Sequence, residues 1–395
     1  MGRTDSYSAY GEDSIVVALA WLAAVVADLR PSWPFSQALA AADLVALADR
    51  EGVVALVDAR LHVLADDASC PAITAPDPVR QAFRGAARES ALLSMLLEGE
   101  ARRMLALMAD AGLPGLLLKG QALGQWAYAV PHWRASSDMD VLVPTREAAQ
   151  MLADRLSESG YQQPQPSGEL VSFEFMCRRE VVPGVCIEAD LHHRLVNSPL
   201  FSDLFAFDEL MSESIPLPAL GANARGLGPA HAFLHAALHR AHYLSVGVTD
   251  RLKWLYDFCV LGDKFSSDDW ERLRDVALDK GLCGICLDAR HAAEAVFGAS
   301  TVPMPPDVQV VMEKAQNKEA IDVRRLGDWG YMQYRTFLTL PTHRLRLRWV
   351  WQRIWPSRDY MAHLYGRHDL GYAGLMGVRV RTAVRRFLGL KVTES

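Results

Sequence analysis

Asp138-Met139-Asp140 runs directly into Val141-Leu142-Val143, so two carboxylates stand at the head of an apolar strand. Residues i and i+2 of a strand project on the same face. Side-by-side carboxylates repel unless something positive lies between them, and a divalent cation is the usual answer. The pair therefore favours a fold that brings a cation, and a ligand for it, to that strand face. The preceding residues fit this. Leu116 to Leu118 reads as a short strand that breaks at Lys119-Gly120, a helix is predicted over Gln121 to Tyr128, and a Pro/Arg/Ser loop spans Pro131 to Ser137. At Gly120 backbone amides can approach a phosphate without a side chain in the way. Mg2+ prefers one or two carboxylates plus phosphate oxygens and water over an all-protein cage. Glycine turn, basic loop and Asp-x-Asp strand together describe a site for a metal-bound triphosphate.

Further along, Phe173 to Arg179 and Val185 to Leu191 alternate like strands, with Pro183-Gly184 between them as a turn signal. In the second arm Glu188 and Asp190 share one face, and Ile187, Ala189 and Leu191 share the other. His192 and His193 follow at once; either can contact phosphate or close a polar strand end.

At these residues the chain resembles the bacterial nucleotidyltransferase family proteins, distant members of the DNA polymerase β-like nucleotidyltransferase superfamily. The resemblance is carried by Lys119-Gly120-x-Ala122-Leu123, by Arg134, and by Asp138-x-Asp140-x-Leu142-Val143. It continues through Ile187 to His193 and Arg251 to Asp257, covering about residues 85 to 290. The turn departs from the usual Gly-Ser or Gly-Gly, being Gly120-Gln121 after a lysine. The resemblance implies an α+β fold, a nucleotidyltransferase-like mixed sheet flanked by an N-terminal helical segment and a C-terminal helical domain. It places Asp190 beside Asp138 and Asp140 as catalytic and metal-binding residues for Mg2+ or Mn2+. The expected nucleotide contacts are Lys119, Gly120, Gln121, Arg134, Ser136, Ser137, His192, His239 and Lys253. Arg134 leads them because a guanidinium fork matches phosphate geometry.

A chain of 395 residues can bury a large core in two or three subdomains. The division expected is 1–85 helical, 86–200 nucleotidyltransferase core, 201–300 helical and 301–395 a basic helical end. In the first part Val16, Leu19, Ala23 and Val26 carry one helical stripe, and Ala40, Leu44, Leu47, Val54 and Leu61 a second, with Gly52 a candidate interruption. Asp66 to Asp77 reads as a polar connector, and a long helix starts near Pro78 and ends at Gly112. The longest apolar run, Ile15 to Leu29, is short for a membrane span and contains Asp28. No basic segment with a cleavage site is read ahead of it, and a cytoplasmic protein is the expectation.

Six scattered cysteines suggest no disulfide framework, and Cys283-x-x-Cys286 has no second half to make a zinc site, so buried thiols are expected. His231, His235, His239 and His242 run along one side of a helix. They read as a zinc pair without its remaining ligands, as structural histidines, or as a helix over the active site with His239 and Arg240 near phosphate or base. In the segment from Arg251 to Asp257, Lys253 can reach the triphosphate or stay solvated, and Trp254 can stack on a base or fill the core. The net charge of −6 hides an asymmetry, since from Val323 onward basic residues outnumber acidic ones by about ten. Within that end Leu345 to Trp355 is amphipathic, with Leu347, Val350, Trp351, Ile354 and Trp355 on one side and arginines elsewhere. Such a helix suits nucleic acid, a membrane surface, or ordinary packing.

The function expected is a Mg2+-dependent nucleotidyltransferase moving an NMP from an NTP, such as ATP, to a hydroxyl or phosphate of an acceptor. A peptide or sugar is the acceptor considered first; nucleic acid is the less favoured partner. The alternatives are a catalytically silent nucleotide- or partner-binding module on the same scaffold, and a metal-dependent phosphohydrolase.

Overall fold

The Asp-x-Asp strand lies inside a six-stranded mixed sheet of order β3-β4-β2-β1-β6-β5. A computed structural model describes residues 12–35, 41–63, 75–163 and 173–387. In chain order, α1 (Glu12–Val26), α2 (Ala41–Glu51), α3 (Val54–Val63) and the long α4 (Asp77–Asp110) precede the sheet. There follow β1 (Leu116–Leu117), α5 (Lys119–Trp126), β2 (Asp138–Leu142), α6 (Arg146–Glu158), β3 (Glu174–Val182) and β4 (Val185–His192). The short α7 (Phe207–Ser212), β5 (Ile215–Pro216) and β6 (Arg225–Gly226) complete it. The rest is helical: α8 (Pro229–Ser245), α9 (Leu252–Lys264), α10 (Ser267–Lys280), α11 (Cys283–Phe297), α12 (Pro306–Gln316), α13 (Trp329–Thr339), α14 (His343–Ile354), α15 (Arg358–Leu364) and α16 (Tyr372–Phe387). The architecture is α+β. The expected connector lies mostly outside the described residues, as do Ala40 and Cys70.

Local chemistry explains the elements that build the site. Gly52 breaks the second N-terminal stripe into α2 and α3 and takes a φ of 72°, a conformation glycine reaches at little cost. Thr145 caps α6, its hydroxyl accepting from the Ala148 N–H at 3.1 Å. The β3–β4 hairpin turns at Gly184, whose φ is 81°. Its second arm pairs in parallel with β2, setting Asp138 opposite Glu188, Asp140 opposite Asp190 and Leu142 opposite His192. Met139, Val141, Ile187, Ala189 and Leu191 take the other face and are fully buried against α4 and α6. That apolar face fixes the register, because a one-residue slip would drive the carboxylates into the core.

The N-terminal helices share one apolar core with α8 to α12. Of the expected α1 stripe, Val16 is 64 % exposed, Leu19 is half-buried, and Ala23 and Val26 are buried together with Ala18, Trp21, Leu22 and Val25. Cys283 and Cys286 begin α11 as buried thiols without a disulfide, and the Glu319 carboxylate caps this helix by accepting from the Cys283 and Gly284 N–H groups at 2.6 and 2.9 Å. No helix among the described residues is long and apolar enough to cross a membrane.

Candidate active site

The polar face of β2 and β4 forms one wall of a cavity of about 440 Å3, closed on the far side by α8 and α9. Among the described residues, Asp140, Asp190 and His192 are the one group of three side chains whose ligand atoms lie within 4.8 Å of one another. Asp138 is outside this group, although it faces the same cavity. Glu188, opposite Asp138, is exposed. The group so formed holds two of the three expected carboxylates, Asp140 and Asp190, together with the His192 imidazole.

Asp140 is 2 % exposed and doubly held. Lys119 donates from Nζ to its Oδ1 at 2.5 Å, and His192 Nε2 lies 2.9 Å from the same oxygen. Neither contact uses Oδ2. Burial alone would raise the pKa of Asp140, but Lys119 and His192 hold it well below the usual carboxylate range. Asp190 behaves oppositely: burial, then the neighbouring Asp140 charge, pushes it up to about 7. Asp138 is also raised, by burial and Asp140, against the pull of Lys119 and Lys253. Two crowded carboxylates with one destabilised as an anion are a donor set that a hard divalent cation would relieve. His192 also has an Nδ1 that is buried without a hydrogen-bond partner. A ring that touches a ligand carboxylate fits an orienting role as well as a ligand role.

Lys119 reaches Asp140 from a strained backbone, with φ at 47° in the first turn of α5. That conformation costs a non-glycine residue roughly 1–2 kcal/mol. The helix begins two residues earlier than expected, so Lys119-Gly120 is its first turn and not a separate break. The first N–H groups of a helix have no intrahelical acceptors and carry partial positive charge. A Cβ on Gly120 would come within 2.6 Å of Ser136 Oγ, so glycine lets α5 and the loop before β2 close together. Ser136 and Ser137 both line the cavity. Gln121 is buried and does not.

Arg134 departs most from expectation. Its fork is engaged by Asp257 of α9, with Nε 2.6 Å from Oδ1 and a terminal nitrogen 2.8 Å from Oδ2. Tyr128 donates to the same carboxylate at 2.7 Å. Both charges are buried, so the guanidinium pins the loop to α9, and its remaining terminal nitrogen donates to the Ala135 carbonyl at 2.7 Å, although the residue still lines the cavity. The partners are 123 residues apart, and no local pattern marked Asp257 or Tyr128 for this pairing.

The far wall divides the histidine row. His235, His239 and His242 line the cavity; His231 turns away toward Glu209, Glu213 and the Phe205 ring. Burial and then the Lys119 charge push His235 to about 3 and His242 to about 4, and drive His239 down as well, so all three are neutral near pH 7. They form no metal group among the described residues. His239 packs with Tyr243 and Trp254 at centroid distances of 4.6 and 5.2 Å. Arg240 points elsewhere, to Asp250 and Asp288. His193 packs on Phe173.

Lys253 enters the cavity beside Asp138, and burial together with Arg134 lowers it to about 8. It is positioned by the N-terminal helices: a Cβ on Gly52 would lie 2.2 Å from Lys253 Cδ, and Glu51 accepts from the Leu252 N–H at 3.0 Å. The sequence showed no chemistry in that segment, because its contribution is made through the chain it packs against.

A family described as "Uncharacterised nucleotidyltransferase" matches residues 37–298. The match starts at the α2 region, ahead of the sheet, and ends with α11. No curated protein matches the chain significantly.

Proposed function

The chain belongs to the uncharacterised nucleotidyltransferase family, and from that premise we propose that it transfers an NMP from a nucleoside triphosphate to a hydroxyl or phosphate of an acceptor, with Mg2+ or Mn2+. The observation that carries this reading is the Asp140–Asp190 register, which puts two carboxylates side by side on the polar face of the sheet, with Oδ2 of Asp140 used by neither Lys119 nor His192.

Asp140 and Asp190 would hold the cation, with Asp138 available from the same face. When bound, the cation would neutralise charge building on the pyrophosphate leaving group. Lys253, Ser136, Ser137 and the first turn of α5 are the groups available to phosphate oxygens. Lys119 and His192 keep Asp140 ionised and fixed in orientation. An acceptor oxygen bonds to the α-phosphorus as the bond to pyrophosphate breaks, and its proton passes to a carboxylate. Asp190, poised at about 7, suits that proton when it is not a ligand. Most of the rate enhancement then comes from positioning and electrostatics.

Incubation with α-32P-labelled NTPs and extract fractions tests the reading. Label should move to an acceptor with the wild-type protein and not with Asp190→Asn. Failure with every NTP and fraction, in Mg2+ and in Mn2+, counts against it. One observation favours a second reading: Lys119 already places a cation on Asp140. On that reading the module binds nucleotide without turnover, and calorimetric titration should show NTP binding that is indifferent to Mg2+.

A further inference from the structure

The C-terminal helices leave large apolar side chains in water. No residue of α14 is buried. Leu347 is 71 % exposed, Trp351 61 %, Trp355 51 % and Ile354 48 %. They occupy positions i, i+4, i+8 and i+7, one side of the helix. The opposite side is fastened to the protein. Trp349 packs on Phe337 of α13 at 6.1 Å, and Arg346 donates to the carbonyl oxygens of Leu338 and Leu340 at 3.2 and 3.0 Å. So α14 is docked, and its apolar face looks outward. The helix α16 does the same beside it: Val380 and Val384, one turn apart, are 57 % and 51 % exposed, while Arg379 donates to the Arg353 carbonyl of α14 at 2.5 Å.

The charge around this face is one-sided. Leu340 to Phe387 contains ten arginines, two aspartates and no lysine or glutamate, in a chain whose net charge is −6. Exposed Arg344 opens the same side of α14 one turn before Leu347, and exposed Arg381 and Arg385 each follow one of the α16 valines.

Three occupants fit an apolar, cationic face to different degrees. A second copy paired by a two-fold axis would set arginine against arginine. Single-stranded nucleic acid wants open ring faces on which bases stack. Here Trp351 and Trp355 stack on each other at 4.9 Å and 23°, and the other exposed apolar groups are aliphatic, so the face offers arginines to a phosphodiester but no row of open rings to its bases. An anionic bilayer surface uses both features at once: indole and aliphatic groups enter the headgroup–acyl boundary while arginines meet lipid phosphates. We propose that α14, with α16 beside it, docks the protein peripherally on an anionic phospholipid surface.

The test is co-sedimentation of the full chain with vesicles of phosphatidylcholine alone and of phosphatidylcholine mixed with phosphatidylglycerol. The protein should pellet only with the mixed vesicles, its tryptophan emission should shift to the blue, and added salt should release it. Trp351→Ala with Trp355→Ala, and separately Arg344→Glu with Arg381→Glu, should each lower the partition coefficient roughly tenfold or more. These side chains are at the surface, so melting of the free variants should match wild type. Equal binding to both vesicle types, or none, overturns the proposal. So does binding that the substitutions leave unchanged, or a face that proves to hold a dimer or single-stranded RNA, either one lost in the same variants without any vesicle binding.

Discussion

The Lys119 ammonium rests 2.5 Å from Oδ1 of Asp140, on a backbone twisted to a φ of 47°. The carboxylate it holds is almost wholly buried, so this ion pair keeps an anion in the sheet when no other cation is near. Lys119→Met should therefore destabilise the fold by about 3–5 kcal/mol, the usual loss when one partner of a buried pair is removed. Mn2+ or Mg2+ should restore part of it, because an ion on Asp140 and Asp190 replaces the missing charge. Thermal melting with and without the ion measures this, and a Lys119→Met protein that gains no more from the ion than wild type would refute it.

Asp190 should be separable from Asp140 by substitution. Its folded form tends toward the neutral acid, with burial and Asp140 pushing it to about 7, so asparagine imitates the state the fold prefers. Asp190→Asn should melt at the wild-type temperature or above while NMP transfer falls roughly 10²–10³-fold. Asp140→Asn should melt lower, since it leaves Lys119 and His192 without their anion. Equal stability losses in the two variants would show that the asymmetry between the carboxylates is absent in solution.

The same asymmetry gives a pH dependence with a definite sign. Between about 4 and about 7 the folded state holds a proton on Asp190 that the unfolded chain has released. Stability from this group is thus present at low pH and is lost as pH rises toward 7. A cation must displace that proton below 7. Apparent Mn2+ affinity should climb roughly tenfold per pH unit up to about 7 and then level off. Titration calorimetry in buffers of different ionisation enthalpy would read the proton released; flat affinity between pH 5.5 and 7 (about one and a half units below the shifted value) contradicts the assignment.

Arg134 and Asp257 should behave as structure and not as substrate contacts. Removing either leaves a buried partner charge, so Arg134→Ala and Asp257→Asn should each cost about 3–5 kcal/mol. The double variant should cost much less than the sum. The KM for NTP should stay close to wild type in whatever fraction remains folded. An Arg134→Lys protein of normal stability with a raised KM would return the guanidinium to the phosphate.

What the sequence disclosed depended on how local the signal was. Strand alternation over Phe173 to Arg179 and Val185 to Leu191, the Pro183-Gly184 turn and the Thr145 cap are set within a few residues, and the hairpin (Glu174–Val182 with Val185–His192) and α6 form there, the first arm running three residues further. The helix after β1 was also legible, displaced by two residues because Lys119 adopts a left-handed backbone that no propensity favours. The cavity is different. Asp190 meets Asp140 through a parallel pairing 50 positions apart in the chain, which the family resemblance implied and no local pattern did, and Asp257 takes the fork of Arg134 across 123, which neither marked. A sequence names the groups capable of meeting a phosphate; it does not say which are already spent on one another. His192 was visible as a polar residue after the acidic strand, whereas its contact with Asp140 required the register.

The corner between α2 and α3 carries the last prediction. Gly52 holds a φ of 72°, and the space where its side chain would begin is filled by Lys253, whose Cδ lies 2.2 Å from that point. Gly52→Ala thus meets two penalties, left-handed strain of about 1–2 kcal/mol and displacement of the lysine stem. The second is functional. If Lys253 contacts phosphate in ground and transition states alike, moving it weakens binding of both, so KM for NTP should rise several-fold with kcat nearly unchanged. Lys253→Met should raise KM further, with less loss of melting temperature than Gly52→Ala. Raising the pH through about 8, where Lys253 loses its charge, should raise the wild-type KM and leave that of Lys253→Met flat. A Gly52→Ala protein that melts earlier yet keeps its KM would mean that the N-terminal helices support α9 without aiming its lysine.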